Sequence, residues 1–277
     1  MRETKISKGL YVVTSVPWDK RGYHYRPVPG GIYLFGLESN IWKFEDGKKV
    51  LIATRRDSVL DMFAYRNVLY DVSRSNIHIT LLDPSGEKPG ARNLLEVRTV
   101  CNYNEELYAI GGGMSVSQDG QVTSTAWCGQ IFKISGCPGE KEEILTKRKE
   151  KNHSFSLCSH KGVLYDASWN KIHNTIEDMT GEKPIAIRKN MINDLCSHNG
   201  TLYDLTNNCV YKTLEDPEGQ KPIVNINRSK KEMWARVLCS HDNILYDGGD
   251  DGEIFDTFEN RFVYSFGEKI EAMVSCP

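Results

Sequence analysis

The chain has 277 residues, with 35 Lys and Arg against 37 Asp and Glu and a formal charge of −2. That length allows one large domain or two small ones, and the near balance of charge excludes an overall field of the kind that marks nucleic-acid or membrane-surface binders. No apolar run approaches the roughly 18 residues of a membrane helix, and Met1 to Lys8 leads into no signal-like hydrophobic stretch, so a soluble cytoplasmic protein with no membrane partner is expected.

Residues 1–30 read as an N-terminal extension. They hold Tyr11, Trp18, Tyr23, His24 and Tyr25 among Lys20, Arg21 and Arg26. Aromatics interleaved with cations can stack on bases or sugars, but an outer strand and plug packed on the domain is the simpler expectation. From there the chain repeats. Leu-Cys-Ser-His, three residues, then Leu-Tyr-Asp occurs at 157–166, 195–204 and 238–247. Partial copies stand at Ile32-Tyr33-Leu34, Leu69-Tyr70-Asp71 and Leu107-Tyr108-Ala109. The marker tyrosines 33, 70, 108, 165, 203 and 246 are separated by 37, 38, 57, 38 and 43 residues. A period near 40 points to propeller blades or helical repeats.

The unit after Asp194 decides between them. Leu195-Cys196-Ser197 reads as a strand, His198-Asn199-Gly200 as a turn, and Thr201 to Leu205 as the next strand. Asn207-Asn208 turns into Cys209 to Leu214, and Asp216-Pro217-Glu218-Gly219 turns into Pro222 to Ile226. Four short strands fill the period and leave no room for helices. The expected fold is all-β, a six-bladed β-propeller of four-stranded blades, one domain over 1–277. Blades are expected near 31–60, 61–98, 99–154, 155–192, 193–233 and 234–268. With strands lettered A to D outward, the first blade starts at B (Gly31 to Leu37, then Ile41 to Phe44 and Val50 to Ala53) and lacks A. Ile270 to Ser275, within a closing strand at 269–277, matches the apolar pattern of Ala235 to Ser240 and is expected to supply it.

Gly111-Gly112 followed by Trp127, and again Gly248-Gly249, make the third and sixth units resemble Kelch repeats. Ser-His before strand B resembles the Gly-His of WD40 repeats. The resemblance implies a propeller, most often a binding platform and sometimes an enzyme.

Cys101, Cys158, Cys196 and Cys239 hold one equivalent position in four units, so they are expected as reduced core residues in separate blades, too far apart for a disulfide. His160, His198 and His241 are likewise expected as scaffold, each bonded to the strand B Asp of its own blade: Asp166, Asp204 and Asp247. Tyr65 and Tyr103 at the same site argue against a symmetric metal ring. No metal or cofactor is expected. Departures from the repeat carry the functional signal, above all Gly111 to Trp127, which lengthens the B-to-C connection of the third blade around an Asp119-Gly120 turn.

Charge follows topology. The D-to-A connections carry a net +8 and the C-to-D turns a net −8. The basic face is therefore expected to hold a protein or another anionic partner, with nucleic acid a weaker second. Lys147, Arg148, Lys149, Lys151, Arg228, Lys230, Lys231, Trp127 and Trp169 are the candidate contacts. The alternative is a propeller hydrolase or lactonase with a metal or carboxylate site at the channel mouth, for which Asp250, Asp251 and Glu253 supply carboxylates. No Gly-x-Ser-x-Gly, His-Glu-x-x-His or calcium-loop signature accompanies them.

Overall fold

A computed structural model of the chain describes residues 8–15, 25–28, 31–34, 38–45, 47–73, 76–92, 97–111, 115–116, 122–123, 129–135, 140–146, 154–207, 209–226 and 235–276. Among them there is no helix, and six four-stranded antiparallel sheets form the blades of a β-propeller. Blade 2 runs from the inside outward as Val59–Tyr65, Val68–Ser73, Asn76–Ile79 and Ala91–Arg92, and blade 3 as Thr99–Tyr103, Glu106–Gly111, Gln130–Ser135 and Glu140–Ile144. Blade 4 is Ser154–His160, Val163–Ser168, Lys171–Asn174 and Ala186–Ile187. Blade 5 is Ile192–His198, Thr201–Thr206, Cys209–Lys212 and Val224–Asn225, and blade 6 is Ala235–His241, Ile244–Gly249, Glu253–Asp256 and Arg261–Ser265.

Blade 1 takes its strands from both ends of the chain. Its innermost strand, Lys269–Cys276, pairs with Gly9–Ser15, which pairs with Ser39–Glu45 and then Lys48–Arg55. The C-terminal closure is as the apolar pattern implied. Strand B is not: Gly31–Leu34 pairs with Tyr25–Val28 as a separate hairpin between strands B and C, and Leu10-Tyr11 is the true counterpart of Leu69-Tyr70. The first thirty residues are therefore partly blade. Ile32-Tyr33-Leu34 copied the marker phrase at the right period, whereas Tyr11 stands 59 residues before Tyr70 because the excursion intervenes.

The alternation that makes these strands buries side chains between blades. Among the described residues six apolar clusters result, one at each blade interface. Blades 1 and 2 share Tyr11, Val13, Ile41, Val59, Met62 and Leu69; blades 6 and 1 share Leu10, Val12, Tyr246, Ile254, Phe266 and Ile270. The Gly248 backbone is part of the second interface: a Cβ there would meet the Ile270 side chain at 3.0 Å. That glycine serves packing between blades 6 and 1.

A ring stitched blade to blade, with a variable mouth

Antiparallel blades put the A-to-B and C-to-D turns on one face, the AB face, and the B-to-C turns and D-to-A connections on the other, the BC face. On the AB face the A-to-B turns are alike. In five blades, strands A and B are joined by two residues with φ between 45° and 74°, such as Arg66-Asn67, Lys161-Gly162 and Asn199-Gly200. This is the two-residue turn whose twist matches a hairpin, which is why Asn and Gly recur there.

The repeated histidines flank these turns and point to the next blade. His160 Nδ1 lies 2.8 Å from Ser197 Oγ, His198 Nδ1 2.8 Å from Ser240 Oγ, and His241 Nδ1 2.9 Å from Ser275 Oγ. Tyr65 and Tyr103, at the same position, donate to the carbonyls of Glu105 and Gly162 in the following blades. The expected bond from each His to the strand B Asp of its own blade is absent, and these residues stitch five of the six junctions instead. Burial holds the pKa values of all three imidazoles below the usual value.

The strand B aspartates serve a second set of contacts. Arg55, at the outer end of blade 1, reaches Asp71 of blade 2 through Nε and Nη2, each at 2.6 Å, and Thr80 Oγ1 donates to the same carboxylate. Arg188 of blade 4 repeats this on Asp204 of blade 5, with Thr213 as the third donor. Asp166 accepts from Ser154 and Thr175, and Asp247 from Thr257. Where blade 1 has Val12 instead of Asp, the preceding blade offers Phe266, and the two share an apolar cluster.

The innermost strands carry two enclosed carboxylates in opposite blades. Asp61 accepts from the amides of Met62 and, in the next blade, Val100; Asp194 accepts from Ser156 Oγ and the amides of Leu195 and Leu238. Burial raises Asp61 to about 7, with the Asp194 charge adding to it, and raises Asp194 to about 6. Two residues further along, Cys101, Cys158 and Cys196 form a tier of free thiols, which burial pushes up, Cys101 and Cys196 to about 12. Among the described residues no three His, Cys, Asp or Glu side chains group as a metal would need.

At the BC end of the inner strands the repeat breaks down. Strand A carries a bulge in each of blades 1, 2, 4, 5 and 6, and the extra residue is Glu271, Leu60, Phe155, Asn193 and Arg236 in turn. Bulges re-aim side chains at sheet ends. Four of these meet the BC-face end of their own blade, each by different chemistry. Phe155 faces the Trp169 ring at 6.5 Å, Asn193 donates to Asn207 Oδ1 at 3.1 Å, Arg236 donates to Asp250 at 3.1 Å, and Glu271 accepts from Ser15 Oγ at 2.8 Å. The bulge positions were invisible as a set in the sequence, since they are unlike one another.

The same face bears the blade 1 hairpin and, in blade 3, the pairing of Ser115–Val116 with Val122–Thr123. Trp169 tips the B-to-C turn of blade 4, 59% exposed. Trp127, Lys147, Arg148, Lys149, Lys151, Arg228, Lys230 and Lys231 lie outside the described residues, as does the Asp119-Gly120 turn. The charge count needs correction: Arg55 and Arg188 are each 2% exposed and neutralised by Asp71 and Asp204, while Arg92 belongs to strand D and Asp194, Arg236, Lys269 and Glu271 belong to strand A. Arg56, Arg98 and Lys189 remain exposed on this face. On the AB face, Asp83, Asp178 and Asp216 accept amides within their own turns. Although burial acts the other way, hydrogen bonds hold their pKa values below the usual carboxylate range. Asp250 is engaged by Arg236 and Lys269, and Asp251 accepts the Glu253 amide, so two of the three mouth carboxylates do local work in the turn.

No protein-family model matches the chain, and no curated protein matches it. Among solved structures, a chain in a nidogen/laminin complex aligns over 97% of this chain and 98% of its own length, at 11% identity and a TM-score of 0.61. The computationally designed Ika8 protein aligns over 84% of this chain and 70% of its own, at 10% identity and a TM-score of 0.43. The first likeness shows the fold class: a six-bladed β-propeller.

Proposed function

We propose that the protein is a non-enzymatic interaction platform that binds a protein or another anionic partner on its BC face. The observation that carries this reading is the contrast between the faces. The A-to-B turns of the AB face repeat one conformation and one inter-blade bond, which is what packing requires. The BC mouth presents an aromatic pair, an amide pair, an ion pair and a hydroxyl–carboxylate pair in successive blades, and a binding surface has to be particular in this way. Exposed Trp169 suits the centre of an interface, where aromatic anchors carry much of the energy, and the exposed cations suit an anionic partner. The Kelch-like character rests on the two glycine pairs, and the propeller of the nidogen/laminin complex gives the same architecture a setting in a protein complex. Function on such a fold is argued from the site.

The test is capture of partners from native lysate by three folded proteins: wild type, a BC-face variant (Trp169→Ala with Lys147, Arg148, Lys149, Lys230 and Lys231 each changed to Glu), and an AB-face variant (Lys161, Lys183 and Lys221 each changed to Glu). A partner held by wild type and the AB-face variant, lost from the BC-face variant and weakened by salt is expected. Loss in the AB-face variant alone would overturn the assignment.

A further inference from the structure

At the outer rim, where blade 6 meets blade 1, the Lys49 ammonium lies among aromatic rings. Its Nζ is 4.6 Å from the Trp42 ring centroid, 5.4 Å from Phe266 and 6.0 Å from Tyr264. Among the described residues it meets no carboxylate or carbonyl partner. The rings are braced independently of the lysine. Trp42 Nε1 donates to Thr14 Oγ1 at 3.0 Å, Trp42 lies 6.2 Å from Phe266, Tyr264 lies 5.1 Å from Phe266, and Phe44, directly across the strand pair from Lys49, lies 5.0 Å from Tyr264. The walls come from two blades joined by an apolar core, so the cage is built before any cation enters it.

We propose that this cage is a binding site for a quaternary ammonium group, in which Lys49 stands in for the ligand. A primary ammonium is strongly hydrated and carries three N–H donors, and ring faces offer them no lone pairs. A trimethylated nitrogen has no N–H to satisfy, is weakly hydrated, and presents methyl groups that bear the charge against the negative ring faces. Lys49 is on a flexible stem between exposed Lys48 and Val50 on the edge strand of its blade, so its ammonium can leave for water when a better cation arrives. The ligand group is the trimethylammonium of a methylated lysine side chain or of a choline headgroup, and both present the same chemistry to the rings.

Calorimetric and NMR titrations with choline, and with its neutral isostere in which carbon replaces the quaternary nitrogen, test this on the full chain. Lys49→Ala removes the competitor and is expected to bind choline about tenfold more tightly than wild type. Adding Trp42→Leu, or separately Tyr264→Leu, to Lys49→Ala is expected to abolish saturable binding while circular dichroism shows a folded propeller. The neutral isostere is expected not to bind. A trimethyllysine peptide and phosphocholine then tell the two sources apart by which of them outcompetes choline. Absence of saturable choline binding by Lys49→Ala would overturn the proposal. So would equal binding of the neutral isostere, or saturable binding that survives either Trp42→Leu or Tyr264→Leu in the Lys49→Ala background.

Discussion

A carboxylate placed on the innermost strand of a closed ring loses most of its water, and Asp61 and Asp194 show the consequence in pKa values raised to about 7 and about 6. Because folding raises these values above the 3.8 of the free side chain, the folded ring binds protons that the unfolded chain releases. Their contribution to stability is complete below about pH 4 and is lost as pH rises through about 6 to 7. A tenfold change in proton affinity is worth about 1.36 kcal/mol, so Asp61 accounts for about 2 to 4 kcal/mol across that window. Urea unfolding at pH 5 and pH 8 checks this: wild type should lose stability between the two, and Asp61→Asn should lose measurably less. Equal losses would show that Asp61 does not titrate in this range. The histidines show how far a single residue can be read. Their repetition marked them as scaffold, but the partner of His160 is Ser197, 37 residues on, while Asp166 is nearer in sequence. Only the angle between blades makes the distant serine the neighbour.

Strands and their joints carry the next level. Arg55 and Arg188 sit at the outer ends of their blades and insert into the following one, where each finds an aspartate and the carbonyls of the next C-to-D turn, Asp83 and Asp216. A buried ion pair is a weak source of net stability, yet removing one partner leaves the other charged and dry. Asp204→Ala is therefore expected to cost about 3 to 5 kcal/mol, and the double change Arg188→Met with Asp204→Leu much less, by the same reasoning. Chemical denaturation of both variants decides it; a double variant as damaged as the single one would mean the pair is worth more than its desolvation. The sequence displayed Asp204 in the marker phrase and counted Arg188 as a surface charge. It hid the clasp because the two lie in different repeats. The first blade was misread for a related reason: with Val12 at the position that holds Asp in blades 2, 4, 5 and 6, its strand B lacks the full Leu-Tyr-Asp phrase.

For the whole molecule, the decisive joint is the return of the C-terminus to the N-terminal blade. Lys269–Cys276 is the inner strand of blade 1, with Ile270, Ala272 and Met273 all buried and Ser275 holding His241 of blade 6. Deleting residues 270–277 opens two blade interfaces at once. Each lost core side chain of Ile or Met type is worth about 2 to 5 kcal/mol, so the truncated ring is expected to lose most or all of a stability on the order of 5 to 15 kcal/mol. A thermal melt showing a cooperative transition within a few degrees of wild type would mean that the ring does not depend on this strand for closure. The sequence by itself determined the all-β class, the number of blades, a four-stranded blade as the unit and this closure, because period, alternation and turn residues are local properties that recur along the chain; strand B of the first blade, set apart by the hairpin excursion, it placed wrongly. The tertiary structure decided what crosses between repeats: the forward-pointing histidines, the two arginine clasps, the inner-strand carboxylates bound to amides of the next blade, the unlike residues at the BC mouth and the aromatic cage at the seam. Each of those depends on side chains from different blades meeting in space, and a pattern that repeats along the chain does not record which neighbours the ring brings together.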